Sequence, residues 1–312
     1  MTDKRSLQSE GEQLDAVLEE LQNDNAVREI SGWETGFPNL SRALDGILPG
    51  LYLLIGPPAS GKTSLAKQLL DQVVMRNAAP GVFFSLAETS KELRIKTLAR
   101  LSGLESREIR RGSAYLLHWY GVPKAHHAEA EQLAPSWEKL KRTAEEARSW
   151  LDRIYLVECD RETKLLHIEE QIQQVKSIKG TDRVMVVIDD CQSLGNRELT
   201  LNDRLVIVAE ELQGAAMNLG IAILAVWPDL GGKSATSPQA WAEKLPGADA
   251  ILVLEKDHER TKQLTEPNQA MRLHIVKNRG GERAKLALDF YPAFSRFAEP
   301  QVHSISSVVP AA

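Results

Sequence analysis

Gly56-Pro57-Pro58-Ala59-Ser60-Gly61-Lys62-Thr63 is a G-x-x-x-x-G-K-[ST] run, and its reading decides the fold. Ahead of it, the apolar stretch Leu51 to Ile55 predicts a buried strand. Behind it, Leu65, Ala66, Leu69, Leu70, Val73 and Val74 recur on one helical face. A strand that turns through glycines into a helix N-terminus presents backbone N–H groups and a favourable dipole to a phosphate. The loop, with Ser64 just beyond it, is therefore expected to hold a nucleoside triphosphate. Lys62 would reach the β/γ oxygens and the Thr63 hydroxyl would ligate Mg²⁺. A plain Gly/Pro-rich turn is the competing reading, and the strand–loop–helix context argues against it.

Outward from this loop the pattern alternates between strand and helix. Strands are expected at Leu51–Ile55, Gly81–Leu86, Ile154–Val157, Val184–Ile188, Ile221–Val226 and Ala250–Leu254, with helical stretches between most of them. That alternation predicts an α/β fold, a largely parallel sheet flanked by helices on both faces. Met271–Lys277 and Ala284–Phe290 read as a C-terminal β-hairpin across Arg279-Gly280-Gly281. Ser113 to Ala134 fits no regular element and is expected to be an inserted loop. Its His118, Trp119, Tyr120, His126 and His127 lack convincing metal spacing, so a surface loop is favoured over a metal site or a stacking platform. Lys256 to Lys262 mixes charges of both signs and is expected to be a solvated loop.

The organisation expected is a docking helix and linker over residues 1–30, one ATPase domain over 31–300, and a disordered tail over 301–312. Leu14, Val17, Leu18 and Leu21 recur at helical spacing in an acidic segment, and such a stripe needs a surface to pack on. Gly32 to Gly36 reads as a linker. With 312 residues, 43% hydrophobic and 26% charged, the chain has ample material for a core. No apolar run is long enough for a transmembrane helix, and Met1 to Glu10 shows no secretory h-region, so a cytoplasmic protein with no membrane partner is expected. Cys159 and Cys191 are expected to pack as reduced thiols. The net charge of −5 argues against a general polyanion-binding surface and leaves room for a local basic channel in an assembly.

Two carboxylates complete the expected nucleotide site. Val184-Met185-Val186-Val187-Ile188-Asp189-Asp190 is an apolar strand ending in acid, which places Asp189 to order a Mg²⁺-bound water beside Thr63. Asp190 is ambiguous between the site and solvent. Glu88 lies just past the strand Gly81–Leu86 and could orient the attacking water. It could equally be an exposed loop glutamate that caps the helix starting near Thr89.

With these elements placed, residues 30 to 298 resemble the RecA-like ATPases of the replicative helicase group, specifically the C-terminal motor domain of DnaB. Thr35-Gly36-Phe37-Pro38-Asn39-Leu40 and Ile47-Leu48-Pro49-Gly50 look like that family's lead-in to the phosphate loop. Phe84-Ser85-Leu86, Ile109-Arg110-Arg111-Gly112, Ser136-Trp137-Glu138-Lys139-Leu140 and Ile188-Asp189-Asp190-Cys191-Gln192 are similar to its later segments. Lys277-Asn278-Arg279-Gly280-Gly281 resembles its Lys-x-Arg finger and the Lys-Asn-Arg-Phe-Gly element of RadA. The resemblance implies ATP and Mg²⁺ as cofactors and a ring or filament, a hexamer in the helicases, with ATP at subunit interfaces. It also implies single-stranded DNA as the substrate track, and Lys277 and Arg279 completing a neighbour's site. A charged hairpin turn exposed to water is the alternative for Arg279.

The departures from the family bear on function. DnaB carries its glutamate directly after Phe-Ser-Leu, where this chain has Ala87, and Glu88 comes one step later, as in RepA-type and RadA-type relatives. Trp227-Pro228-Asp229 stands where DnaB has a sensor glutamine. Glu210, Glu211 and Gln213 stand where DnaB places basic residues toward its DNA channel. Three functions are therefore carried forward: a DnaB-like motor on single-stranded DNA, a RadA- or RepA-like recombination or plasmid ATPase, and a nucleotide-gated scaffold without translocation.

Overall fold

The computed structural model describes residues 29–117, 127–160, 162–229 and 245–300, together with Leu14 and Glu243. The expected docking stripe (Leu14 apart) and the tail over 301–312 lie outside the described residues. Nine strands form one sheet in the order β3-β2-β4-β5-β1-β6-β7-β8-β9. The parallel part comprises β1 (Gly50–Gly56), β2 (Gly81–Ser85), β3 (Ile154–Glu158), β4 (Met185–Asp189), β5 (Ala222–Pro228) and β6 (Ala250–Lys256). The antiparallel extension is β7 (Gln269–Asn278), β8 (Ala284–Tyr291) and a short β9 (Arg296–Ala298). Each strand expected from the sequence is present to within two residues at its ends. β9 was not expected, since three residues carry no readable alternation.

Alternation of side chains across the pleat divides the interior into two cores. Leu51, Leu53, Ile55, Val186, Ile188, Ile223 and Ala225 face α6 (Leu165–Lys179) and α7 (Leu201–Leu219) in the first. Tyr52, Leu54, Met185, Val187, Leu224 and Val226 face α2 (Lys62–Asn77) in the second. Both faces are covered, so β1 is buried along its whole length and reads as a continuous apolar run.

Three expectations are corrected. The Gly32–Gly36 stretch is no free linker: Trp33 bridges to Ile47, and the buried Thr35 hydroxyl lies 2.9 Å from that of Ser41 within α1 (Pro38–Leu44). The segment expected as an inserted loop is helical on both sides, in α4 (Ser106–Leu117) and α5 (His127–Leu151), with residues 118–126 outside the described part. Its mixed polar and aromatic composition hid the helical period. The solvated loop at Lys256–Lys262 contains one helical turn, α8 (His258–Thr261), capped by the Asp257 carboxylate, which also pairs with Arg272 at 2.9 Å.

Helix α3 (Ser90–Ser102) is fastened to α2 by a buried ionic cluster. Lys67 and Arg100 both bind the Asp71 carboxylate, and Thr97 accepts from Lys67 at 2.7 Å while donating to Asp71 at 2.7 Å. Burial pulls the Lys67 ammonium below its ordinary value, and Asp71 opposes that shift. Asp71→Ala would leave two buried cations without their counterion, and is expected to cost about 3–5 kcal/mol. Lys67→Met keeps the Asp71–Arg100 pair and is expected to be nearly neutral. Urea unfolding of the two variants checks this; equal losses would show that the cluster does not depend on Asp71.

Candidate nucleotide site

Parallel pairing brings the carboxyl ends of β1, β2, β4 and β5 to one edge of the sheet, and open α/β sheets bind ligands in the crevice beyond such ends. The registers Ser85↔Asp189 and Gly56↔Pro228 set the phosphate loop, Glu88, Asp189 and Trp227-Pro228-Asp229 side by side there. The loop leaves β1 at Gly56, and Pro57, Pro58 and Ala59 form its exposed crest. Gly61 has φ +87°, and a Cβ there would lie 3.0 Å from the stacked rings of Phe290 and Phe297. The position therefore requires glycine twice over, by backbone and by space. No side chain caps α2, so the N–H groups of Lys62, Thr63 and Ser64 have no partner within the helix. Ser60 is buried, and its hydroxyl has no hydrogen-bond partner among the described residues.

Lys62 folds back over this cradle. Its ammonium donates to the Gly56 carbonyl at 2.6 Å and the Pro57 carbonyl at 2.9 Å. Burial lowers its pKa, while Asp189, Asp190 and Asp229 hold the charged form. A phosphate oxygen would offer that ammonium a stronger, charged acceptor than two carbonyls.

Asp189 ends β4 with 2% exposure and hydrogen-bonds the Thr63 hydroxyl. Burial pushes its carboxyl up to about 6; the Thr63 bond and Lys62 oppose the shift, and Asp190 and Glu88 add to it. Asp189 Oδ2 is buried without a partner among the described residues, which fits an acid awaiting a cation or its bound water. Thr63 and Asp189 could hold Mg²⁺ together with phosphate oxygens, as this ion prefers few protein ligands. No cluster of three or more His, Cys, Asp or Glu forms a metal cage among the described residues. Asp190 is half-turned away: it accepts from Gln192 at 2.5 Å and from Ser193 at 3.4 Å.

Glu88 sits on the turn after β2. The Ser85 hydroxyl fixes that turn, donating to the Glu88 carbonyl at 2.6 Å and accepting from its N–H at 3.1 Å. The helix cap expected as an alternative role for Glu88 is supplied by Thr89, which accepts from the Glu92 N–H. Lys96, nearly two helical turns into α3, lies 3.2 Å from Glu88 Oε1, whereas Oε2 is buried and unpartnered among the described residues. Sequence reading missed both Ser85 and Lys96. Neither carries a signal in the sequence, because the contact of Lys96 with Glu88 depends on which side α3 turns toward the crevice. Trp227 is fully buried beside Ile55, with its indole N–H unpaired among the described residues.

Lys277 and Arg279 do not join this group. Arg279 donates its N–H to the Asp249 carbonyl at 2.8 Å and pairs its guanidinium with the Asp249 carboxylate at 2.7 Å. The same carboxylate accepts from the Leu51 N–H, at the amino end of β1. Lys277 donates to the Pro246 carbonyl at 2.5 Å. Both cations therefore lie about 20 Å from their own phosphate loop, the length of a seven-residue strand at about 3.3 Å per step. Arg279 remains half-exposed there.

A family model described as "DnaB-like helicase C terminal domain" matches residues 32–230. The chain is 22% identical to the replicative DNA helicase DnaB of Leifsonia xyli over 286 residues, which are 86% of this chain and 56% of that protein. It is 29% identical to DnaB of Pasteurella multocida over 121 residues, 36% of this chain and 26% of the relative. The chain thus spans about half the length of the Leifsonia xyli relative. Among solved structures, one described as an ATPase domain superposes with a TM-score of 0.73 at 19% identity, covering 96% of this chain and 100% of that one. A DnaB-like replicative helicase, described with its interactions with primase, gives 0.69 at 20% identity over 96% of this chain and 68% of its own. These likenesses establish a RecA-like ATPase fold. With a matching model over more than half of its length, the chain belongs to the DnaB-like helicase C-terminal domain family.

Proposed function

We propose that this protein is a Mg²⁺-dependent ATPase of the DnaB motor type, assembled as a ring of six subunits in the cytoplasm and acting on single-stranded DNA. The observation that carries the reading is the division of the site: Lys62, Thr63, Asp189 and Glu88 converge at one end of the sheet, and Lys277 and Arg279 lie at the other. A second copy, set with the turn of its β7–β8 hairpin against the first copy's loop, would complete each site. The segment carrying Leu14, Val17, Leu18 and Leu21 would dock on that neighbour and hold the assembly.

In this scheme ATP supplies the transferable phosphoryl group, and Mg²⁺ neutralises charge on its oxygens. The freed N–H groups of α2 and the Lys62 ammonium bind the phosphates, and Thr63 and Asp189 orient the cation's shell. Glu88, held through Oε1 by Lys96, uses Oε2 to orient the attacking water and take its proton. Arg279 from the neighbour stabilises charge on the γ-phosphoryl oxygens, where its planar fork suits two oxygens at once. A nucleotide-gated scaffold is the second reading, favoured by the exposed Glu210 and Glu211 on α7. A RadA- or RepA-like ATPase shares the same chemistry.

Saturating single-stranded DNA is expected to raise steady-state ATPase activity several-fold; an unchanged rate would favour the scaffold. Glu88→Gln should keep nucleotide binding and lose turnover, and loss of binding instead would make Glu88 structural. Arg279→Ala should bind ATP yet fail to turn it over, and mixing it with Lys62→Ala should restore activity, because some interfaces then pair an intact loop with an intact finger. No recovery in proven mixed assemblies would exclude action in trans. The raised Asp189 pKa yields a stability prediction. The folded protein holds that proton more tightly than the unfolded chain, so this group's contribution falls as pH rises from 3.8 to about 6. The ionised carboxylate costs up to about 3 kcal/mol at neutral pH in the metal-free protein. Asp189→Asn should therefore raise the metal-free thermal midpoint at neutral pH while abolishing Mg²⁺-dependent nucleotide binding. A lowered midpoint would contradict the assignment.

A further inference from the structure

The amino ends of β2, β3 and β4 carry a second charged feature, at the edge of the sheet opposite the phosphate loop. Arg153 precedes β3, Arg183 precedes β4, and Lys179 ends α6. The three surround a cavity of about 370 Å³ whose wall also includes Trp33 and Thr181 and contains no carboxylate residue. None of the three cations forms an ion pair among the described residues. Lys179 donates to the Asp152 carbonyl at 3.0 Å and lies 5.6 Å over the Tyr155 ring. The Arg183 guanidinium lies 4.6 Å over the Trp33 ring. The nearby Asp182 is 3.7 Å from Lys176, outside the cavity wall, and Asp152 is exposed beside Arg153. Arg183 and Trp33 also line a neighbouring cavity whose wall includes Glu29 and Glu34, the latter paired with Arg76, so the basic character is confined to this cavity's own wall.

Two features of the arrangement specify its ligand. Contact with the Trp33 ring places the Arg183 guanidinium before anything binds, so little rotamer freedom is lost on contact. A guanidinium plane beside further cations is single-strand chemistry: bases stack on planar groups while the cations neutralise phosphates. An acidic protein surface would use the cations and have no need of the planes.

We propose that this strip is a binding surface for single-stranded nucleic acid, separate from the nucleotide crevice and engaging two or three phosphates. The inference goes beyond the motor reading, because it concerns a contact at the end of the sheet that the ATP site does not use.

Anisotropy of a labelled oligothymidine, titrated with the full chain at several salt concentrations, tests it. Each phosphate contact on a single strand contributes about 0.7 to the slope of log K against log salt. Arg153→Gln and Arg183→Gln should each reduce the slope by about 0.7 and the affinity about fivefold at 0.1 M salt. Arg142→Gln, an exposed charge elsewhere on α5, should change neither. Thermal midpoints and basal ATPase of the strip variants should equal those of the parent, and reading each single variant separately guards against one that folds poorly. Equal slopes in variant and parent would overturn the proposal, as would a parent that binds no oligothymidine. Unchanged oligothymidine affinity with a loss of assembled mass would assign the strip to an acidic face of a neighbouring copy, and would overturn it as well. Binding that depends on the strip without any stimulation of ATPase would sink the motor reading and leave this inference standing.

Discussion

The organisation of the molecule depends on the burial of β1. Paired with β5 on one side and β6 on the other, and covered on both faces, this strand is a rigid spacer of seven residues. Its carboxyl end becomes the phosphate loop, and its amino end is tied through Leu51 to Asp249 and so to Arg279. Flexing the sheet enough to bring those ends together would break the central ladder, whose unpaired backbone groups would then be buried without partners. A fixed separation of about 20 Å is therefore built into the fold. It is this constraint, more than any single side chain, that makes a neighbouring subunit part of the proposed chemistry.

A second rigid link sets Glu88 against the loop. The phosphate-loop helix and α3 are locked by the Lys67–Asp71–Thr97–Arg100 cluster, and Lys96 stands next to Thr97 on the same helix. The Arg100 guanidinium also reaches the Ser295 carbonyl at 3.5 Å, which brings the turn before β9 into the same frame. Phe290 and Phe297 close the arrangement from below by packing on Gly61. The antiparallel extension thus supports the phosphate loop from beneath while carrying Lys277 and Arg279 at its far end. Buried polar networks of this kind hold geometry tightly, because each broken bond leaves a costly orphan.

The sequence made the parallel sheet legible because both of its faces are buried, so that its strands are unbroken apolar runs. The phosphate loop was legible because its glycines and lysine are demanded by backbone geometry and charge at fixed spacing. Asp189 followed from an apolar strand ending in acid. Lys96, Ser85 and the buried cluster were not legible, since they depend on which helix turns which side toward the crevice. Lys67, Asp71 and Arg100 each look like ordinary exposed helix charges until α3 is laid upon α2. The basic strip was equally hidden: Trp33, Arg153 and the Lys179–Arg183 segment are far apart in sequence, and the overall negative charge masks them. The segment around residues 113–134 misled because its aromatic and histidine content drew attention away from the helices on either side.

The proposed site is one that a single subunit does not complete. The most direct measurement is ATP turnover per subunit as a function of protein concentration, with assembly mass read by light scattering on the same samples. Turnover per subunit is expected to fall on dilution in step with the loss of assembled mass. A monomer that hydrolyses ATP at the undiminished rate would contradict a shared site.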